Sequence, residues 1–575
     1  MICNPMDLPY RFQELTVGPF WRAVVREGAD PSLIHWRGRY WLFVSMSAGF
    51  WHSDDLVDWE FVATPGLSNY DYAPDVRIID DQMVVCASHP TKTGDFYRTS
   101  DPIAGEWEVI PGALKIWDPN LFQDDDGRVY LYWGCSDKTP IQGVELDRAS
   151  FQPIGDPVQI VHGDNSVHGF ERRGPDFDPT KDKRSVFLKP FVSARPFIEG
   201  AWMTKHRDRY YLQYSAPGTE MHTYSDGYYT AASPLGPFTY APNSPFSSRP
   251  GGFFPGAGHG STMQDEHGNW WHVATMRISK HFMFERRIGI FPAGFDDDGV
   301  LFTNQEFADY PSRVPDGPAD PWSLSAKSML LNIGTSTTAS GCDPEHGPEL
   351  AVDEDVTTWW VAPDDAPGHW IQSTLPEGST VESVQVNVAE HGLKPTVRRS
   401  RRDTTLTALW QRYINDAEPS TEVLVQLSVD GSDWTTVHDS RATSSSRSHV
   451  FVELDEPTQY RFVRVTGFAQ PYGGRFAVSG LRVFGRGNGS APAATTSRAR
   501  RTGPLNALVE WDAVPGVQGY NLRYGIAADK LYSSWQFDAR TSHDLGALNA
   551  GVDYWVAVDS YNENGVTRGN PVPVR

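Results

Sequence analysis

The sequence predicts an all-β chain that opens with a five-bladed β-propeller. Composition comes first: 51 Gly and 43 Pro in 575 residues point to many turns rather than long helices, and 39% apolar content is enough for real cores. Repetition comes second, because five segments share one grammar, an alternating aromatic/aliphatic strand followed by a second strand and a small polar and aromatic turn. The segments begin at Tyr40, Met83, Val129, Tyr210 and Trp270, so they are spaced by 43, 46, 81 and 60 residues. Third is the two-residue period itself, in short runs such as Tyr40-Trp-Leu-Phe-Val-Ser45 and Val129-Tyr-Leu-Tyr-Trp133, bounded by Gly, Asp and Pro. Strand repeats of about 40 to 50 residues are the mark of propeller blades. The 81-residue interval implies an insertion, roughly 163–196, crossing the propeller surface.

The propeller is expected over residues 1–320, because the grammar changes after Pro311-Ser-Arg-Val-Pro-Asp-Gly-Pro318. Over 328–485 a second all-β pattern carries Leu350-Ala-Val-Asp-Glu-Asp-Val-Thr-Thr-Trp-Trp360, Val423-Leu-Val-Gln-Leu-Ser-Val-Asp-Gly-Ser-Asp-Trp434 and Val478-Ser-Gly-Leu-Arg-Val-Phe484. That order resembles discoidin, or coagulation-factor type C, domains. The resemblance implies a jelly-roll β-sandwich and either sugar binding or packing against the propeller. Asp353-Glu354-Asp355 stands where such modules often have Asp-Gly, which puts the tight turn and any structural cation there in question. A helical patch is expected over 404–415. Residues 486–502 are Gly-, Ser- and Ala-rich and read as a flexible linker. Residues 503–575, with Val509-Glu-Trp511, Gly519-Tyr-Asn-Leu-Arg-Tyr-Gly525 and Tyr554-Trp-Val-Ala-Val-Asp-Ser-Tyr561, look like an immunoglobulin-like fibronectin type III β-sandwich, a spacing or docking unit.

The formal charge of −22 argues against a nucleic-acid partner, since phosphate binding draws on clustered Lys and Arg. The basic run Arg398, Arg399, Arg401 and Arg402 is short and reads as a solvated loop. No stretch nears the ~20 consecutive apolar residues that span a bilayer. The start lacks the charged-then-apolar pattern of a secretory signal, which reads as cytoplasmic, although modules of these kinds accompany exported enzymes and a trimmed start would place the protein outside the cell. Cys3, Cys86, Cys135 and Cys342 lie far apart and are expected to be buried free thiols. The oligomeric state is not legible.

Three acidic residues sit where a blade begins, each beside a Pro or Gly: Asp30 in Gly28-Ala-Asp-Pro31, Asp118 in Trp117-Asp-Pro-Asn-Leu-Phe122, and Glu199 in Ile198-Glu-Gly-Ala-Trp-Met-Thr-Lys205. First strands of blades line the central axis, so acids at equivalent points of different blades converge on one end of the channel. Separated carboxylates in a sugar-sized cavity are what glycosidic hydrolysis needs, one acid to protonate the leaving oxygen and one base to activate water. Taken singly, each Asp-Pro or Glu-Gly reads equally as a turn cap.

These motifs in this order, followed by Tyr210-Tyr-Leu-Gln-Tyr-Ser215, resemble family 43 glycoside hydrolases over about 19–311. The resemblance implies a five-bladed propeller that inverts the anomeric centre, with Asp30 as general base, Glu199 as general acid and Asp118 orienting Glu199 and raising its pKa. It also implies a role for His259, which in many members faces a cation, often calcium, through water near the channel centre; a buried histidine satisfied by backbone is the equal alternative. Trp51 and Tyr72 fall where members stack aromatic rings on sugar, although among so many aromatics a place in the core is the commoner fate of any one, and Arg277 or the pair Arg286 and Arg287 could meet a substrate hydroxyl or, equally, pair with Asp296, Asp297 or Asp298. The chemistry itself requires no cofactor. The expected activity is exo-acting release of terminal furanose or pentose units, with α-L-arabinofuranosidase first and β-xylosidase or β-D-galactofuranosidase as alternatives. In an exo enzyme the insertion around 170–191 should close one end of the channel. A five-bladed fructosidase and a non-catalytic propeller lectin are the rivals.

Overall fold

Five antiparallel meanders follow one another along the chain of the computed structural model, which describes residues 1–17, 21–64, 67, 72–89, 92–173, 195–396, 403–407, 410–414, 420–443 and 446–575. Blade I is built from Ser32–Trp36, Arg39–Phe43, Gly49–Ser53 and Glu60–Ala63, and blade II from Asp75–Ile79, Gln82–Cys86, Phe96–Thr99 and Glu108–Ile110. Blade III is Asn120–Gln123, Val129–Trp133, Ile141–Leu146 and Pro153–Val161. Blade IV contains Glu199–His206, Arg209–Ala216, Ser225–Ala231 and Thr239–Tyr240, with Ser247–Ser248 pairing beside its third strand. Blade V is Gly256–Gln264, Trp270–Arg277, Arg286–Phe295 and Leu301–Thr303. The aromatic runs that signal the repeat are the second strand of each blade. The innermost strands escape the pattern because they carry small and polar residues such as Ser32, Asp75, Asn120 and Ser261 toward their neighbours.

Those polar residues clasp the ring. Leu33 N–H donates to Ser261 Oγ (3.0 Å), Val76 N–H to Ser32 Oγ (3.0 Å), Leu121 N–H to Asp75 Oδ2 (2.6 Å) and Met203 N–H to Asn120 Oδ1 (2.8 Å). Trp202 Nε1–H donates to the Thr262 carbonyl (3.1 Å), so each innermost strand is tied to the next around the circle. Buried donors and acceptors must find partners, and here the partner is always the adjacent blade. Aromatic and aliphatic side chains fill the seams, for example Leu33, Leu42, Trp51, Trp271, Val273 and Ile290 between blades V and I. The first ten residues lie along blade V, where Asn4 donates to the Ile290 and Ala308 carbonyls and accepts from Ile290 N–H.

Two β-sandwiches follow. The first packs a sheet ordered Met329–Leu330, Ala477–Arg486, Thr380–Val388, His449–Gln459 against one ordered Thr337–Ala339, Trp370–Thr374, Phe462–Gly467, Val423–Ser428, Thr435–Asp439, around Trp360, Val384, Val425, Val465 and Leu481. Glu354 takes the left-handed turn position where Gly was expected (φ 61°), and its carboxylate receives Arg482 through two hydrogen bonds of 2.9 and 3.0 Å. The pairing compensates a backbone conformation that glycine adopts more readily. The second sandwich packs Ser497–Gly503, Asn506–Trp511 and Ser542–Leu545 against Ser533–Phe537, Gly519–Gly525, Trp555–Asn562 and Gly565–Thr567, around Trp511, Tyr520, Leu522 and Val558.

Two expectations change. Residues 404–415 do not form a helix: Asp403–Thr407 and Trp410–Ile414 are strands, and the latter pairs with Phe12–Val17, which pairs with Trp21–Arg26. An amphipathic-looking run became a hairpin because an N-terminal edge strand was there to receive it. Residues 486–502 are not free, since Ser490, Pro492 and Ala493 carbonyls accept from Asn562, Thr567 and Ser560 and the last sandwich begins at Ser497. That sandwich is fastened to the propeller, Lys530 to Asp296 (2.8 Å), Arg568 to Glu306 and Asn549 to the Pro242 and Ser244 carbonyls. The basic run at 398–402 and most of the insertion, 174–194, lie outside the described residues. Among the described residues the only helical segments are short 3-10 turns, and no helix is long and apolar enough to cross a membrane.

Candidate active site

Asp30 and Asp118 each stand two residues before an innermost strand, of blades I and III, and Glu199 is the first residue of the innermost strand of blade IV. Asp30 and Asp118 both hold φ of 52°, and each precedes a proline. Aspartate tolerates that left-handed region better than most residues, yet a following proline disfavours α-type backbone, so the two loops carry strain that the surrounding contacts must offset. The contacts are serines at the ends of second strands. Ser45 Oγ–H donates to Asp30 Oδ2 at 2.6 Å, and Ser88 Oγ lies 3.1 Å from Asp118 Oδ1 while accepting the Asp118 N–H at 2.8 Å.

The three acids meet at His259. Its Nδ1 is 3.3 Å from Asp30 Oδ1 and 3.7 Å from Asp118 Oδ2, and ligand atoms of Asp118, Glu199 and His259 all lie within 4.8 Å of one another. The His259 N–H donates to Ser215 Oγ (2.6 Å) and Asp226 Oδ1 (2.8 Å), which fixes a third left-handed residue (φ 46°) at the channel end. Burial would depress the His259 pKa, but Asp30, Asp118 and Glu199 around it raise it overall.

The carboxylates sit in different environments. Glu199 is pushed up to about 7, chiefly by removal from water and then by the charge of Asp118, against the opposing pull of His259 and a hydrogen bond from Tyr224. Asp118 is also raised, by burial and by Asp30. For Asp30 burial again acts upward, but Arg286, His259, Ser45 and Thr275 together outweigh it and hold the group below the ordinary aspartate value. Arg286 Nη1 reaches Asp30 Oδ1 at 3.3 Å and Thr219 Oγ1 at 3.2 Å, and its Nε donates to Glu27 Oε1 at 3.0 Å. One carboxyl protonated near neutrality beside one held ionised is the division of roles acid–base chemistry needs.

The binding residues expected from sequence divide. Tyr72 is at the site, its ring centroid 5.9 Å from the Arg286 guanidinium carbon. Trp51 is not: it is fully buried, packed on Tyr10 and Phe61 in the seam between blades V and I. Arg277 Nε donates to Ser279 Oγ at 3.3 Å, and it is Arg286, directly opposite Arg277 in the blade V register, that reaches the acids. Asp296 and Asp298, considered as arginine partners, take Lys530 instead. Cys135, expected as a buried core thiol, is half-buried with Sγ 3.3 Å from Glu199 Oε2, and Cys342 is exposed.

Sequence reading missed Ser45, Ser88, Tyr224, Cys135 and Glu27. A signal existed for the first two, because the repeat grammar already ends its aromatic strands in a small polar residue. Asp118, Glu199 and the His259 imidazole lie close enough to share an ion, but supply few of the 6–8 oxygens that calcium takes, so a calcium facing His259 would draw most of its shell from water.

Residues 22–301, the span of all five blades and their acids, match Glycosyl hydrolases family 43. This segment is a family 43 glycosyl hydrolase domain. Curated relatives of the family 43 domain include a beta-xylosidase of Xylanibacter ruminicola, 29% identical over 26% of this chain and 44% of that protein. A xylan 1,3-beta-xylosidase of a Vibrio species is 25% identical over 43% of this chain and 48% of its own length. A beta-D-galactofuranosidase of Aspergillus niger is 29% identical, covering 37% and 64%. The chain thus spans about half the length of the first curated relatives it matches. Among solved structures, the GH43 BlXynB protein of Bacillus licheniformis is 15% identical over 82% of this chain and 98% of that one, with a TM-score of 0.40.

Proposed function

We propose that the protein is an inverting, exo-acting glycoside hydrolase that releases terminal furanose or pentose units, with α-L-arabinofuranosidase activity first and β-xylosidase or β-D-galactofuranosidase activity as alternatives. The observation that carries this reading is the convergence of Asp30, Asp118 and Glu199 from three blades on His259, in surroundings that push Glu199 up and hold Asp30 down. In this reading Glu199 carries a proton to the glycosidic oxygen while Asp30 takes one from the attacking water. Asp118 holds its charge beside Glu199, which keeps that acid protonated until the leaving oxygen needs it. General acid–base catalysis contributes on the order of 10²–10⁴-fold per group.

Relatives named as xylosidases, arabinofuranohydrolase and galactofuranosidase bracket the sugar class. The sandwich at 328–485 is read as discoidin-like and the last one as fibronectin type III, both serving the propeller as docked supports.

The test is proton NMR of products from a panel of nitrophenyl arabinofuranosides, xylosides and galactofuranosides, with wild type, Glu199→Gln and Asp30→Asn. Hydrolysis giving first the anomer opposite to the substrate, and lost in both variants, is the expected result. Retained configuration, or turnover in Glu199→Gln on substrates with poor leaving groups, would overturn the mechanism, and sugar binding without hydrolysis would make the propeller a lectin.

A further inference from the structure

Arg412 lies on the hairpin strand Trp410–Ile414, inserted in the first sandwich, some 110 residues beyond the last propeller strand. The hairpin pairs with Phe12–Val17, and Arg412 enters the ground beneath the propeller hollow, where its Nη1 donates to Glu27 Oε2 at 2.6 Å. Both side chains are about 1% exposed. The other oxygen of Glu27 is taken by Arg286, whose remaining nitrogen reaches Asp30. A continuous chain of charged hydrogen bonds therefore runs from the sandwich to the base: Arg412, Glu27, Arg286, Asp30.

We propose that Arg412 is a positioning residue for Asp30, acting through Glu27 and Arg286, so that the sandwich completes the active site of the propeller. The inference rests on Asp30 being the base. Its physical ground is the division of Glu27 between two cations. A buried carboxylate that loses one partner is left with an uncompensated charge, and breaking such a pair is costly. Without Arg412 the whole of Glu27's charge falls on Arg286. The Arg286–Asp30 contact, at 3.3 Å, is the longest in the chain and is the one to give way. With two cations present, Glu27 is neutralised from behind and Arg286 is left to face Asp30. The rings of Tyr72, Phe282 and Phe284, 5.1 to 5.9 Å from the Arg412 guanidinium carbon, keep the path dry, so the coupling is not dissipated by solvent.

The experiment uses the full chain and the nitrophenyl glycoside that wild type cleaves best, with Arg412→Met, Arg412→Lys, Glu27→Gln, the double variant Glu27→Gln/Arg412→Met and Asp30→Asn, each with a melting curve. Arg412→Met should lower kcat on the order of 10²-fold with KM little changed, since a base displaced by about an ångström costs that much. Arg412→Lys should recover part of the loss. The double variant should recover most of it, because removing both charges again leaves Arg286 to Asp30 alone. A wild-type kcat in folded Arg412→Met would overturn the relay, and so would a loss that the double variant does not relieve, which would mark Arg412 as a docking residue only. If Asp30→Asn itself turns over normally, the base assignment fails and the relay with it. An inactive Asp30→Asn beside a fully active Arg412→Met removes the relay alone.

Discussion

The Tyr224 hydroxyl donates to Glu199 Oε1 at 2.6 Å, and Cys135 Sγ stands 3.3 Å from the other oxygen. A donor aimed at a carboxylate stabilises its ionised form, so Tyr224 restrains a rise that burial and Asp118 would otherwise carry further. Tyr224→Phe should therefore raise the Glu199 pKa. The alkaline limb of the rate profile, expected near pH 7, moves upward by about one unit if the lost bond is worth roughly 1.5 kcal/mol. An alkaline limb unmoved in Tyr224→Phe would show that the limb does not report Glu199.

Asp118→Asn should move the same limb the other way. The negative charge of Asp118 is, after burial, the largest influence holding Glu199 protonated. Its removal lowers the Glu199 pKa, and the acid loses its proton at a lower pH. The acidic limb reports Asp30, whose pKa is already depressed, and activity should persist well below neutrality before Asp30 takes up a proton. Wild type then gives a bell with its limbs far apart, and Asp118→Asn a narrower bell closed from the alkaline side, readable from kcat/KM against pH.

Trp51→Ala should cost about 3–5 kcal/mol of stability with no selective effect on KM. The side chain is fully buried between Tyr10 and Phe61, so its loss opens a cavity in the blade V–I seam rather than a gap in the sugar pocket. A denaturant melt and KM on the preferred glycoside separate the two outcomes, and a raised KM in a protein of unchanged stability would return Trp51 to the pocket.

How much of this was legible in the sequence follows from the range of each interaction. The blades show because an aromatic strand with a two-residue period is a local pattern, and the acids show because Asp-Pro before a strand is local too. Trp51 and Arg277 misled because their strands were read correctly but their facing was not: Arg277 and Arg286 sit opposite each other in register, and only the fold shows which one reaches the hollow. The 403–414 hairpin was unreadable for a different reason. Its pairing partner, Phe12–Val17, lies nearly 400 residues earlier, and no periodicity within the hairpin encodes that strand's presence. Glu27 and Arg412 were invisible for the same reason, since a charge pair that distant leaves no trace in spacing.

Glu390 helps to seat the first sandwich on the propeller. Its buried carboxylate receives Arg26 from the N-terminal hairpin, with Arg287 at 3.8 Å and Lys280 close enough to influence it. Burial favours the protonated acid, but the three cations outweigh it and hold Glu390 below the ordinary glutamate value. A group with a lowered folded pKa contributes stability that is present above its unfolded value and lost as pH falls through the folded one. Glu390's contribution should therefore be intact at neutral pH and fail only in acid. Lys280 behaves oppositely, being lowered to about 8 chiefly by burial, so its burial penalises folding below that pH and is relieved as pH rises toward its unfolded value. Glu390→Ala leaves Arg26, Arg287 and Lys280 together in the interface without a counter-charge and should cost about 3–5 kcal/mol. Because Arg26 closes the strand paired with Phe12–Val17, the same variant should loosen the hairpin that carries Arg412 and lower kcat along with stability. Amide exchange at Trp410–Ile414 would report that loosening directly; exchange and melting both equal to wild type would show that the cluster does not hold the sandwich in place.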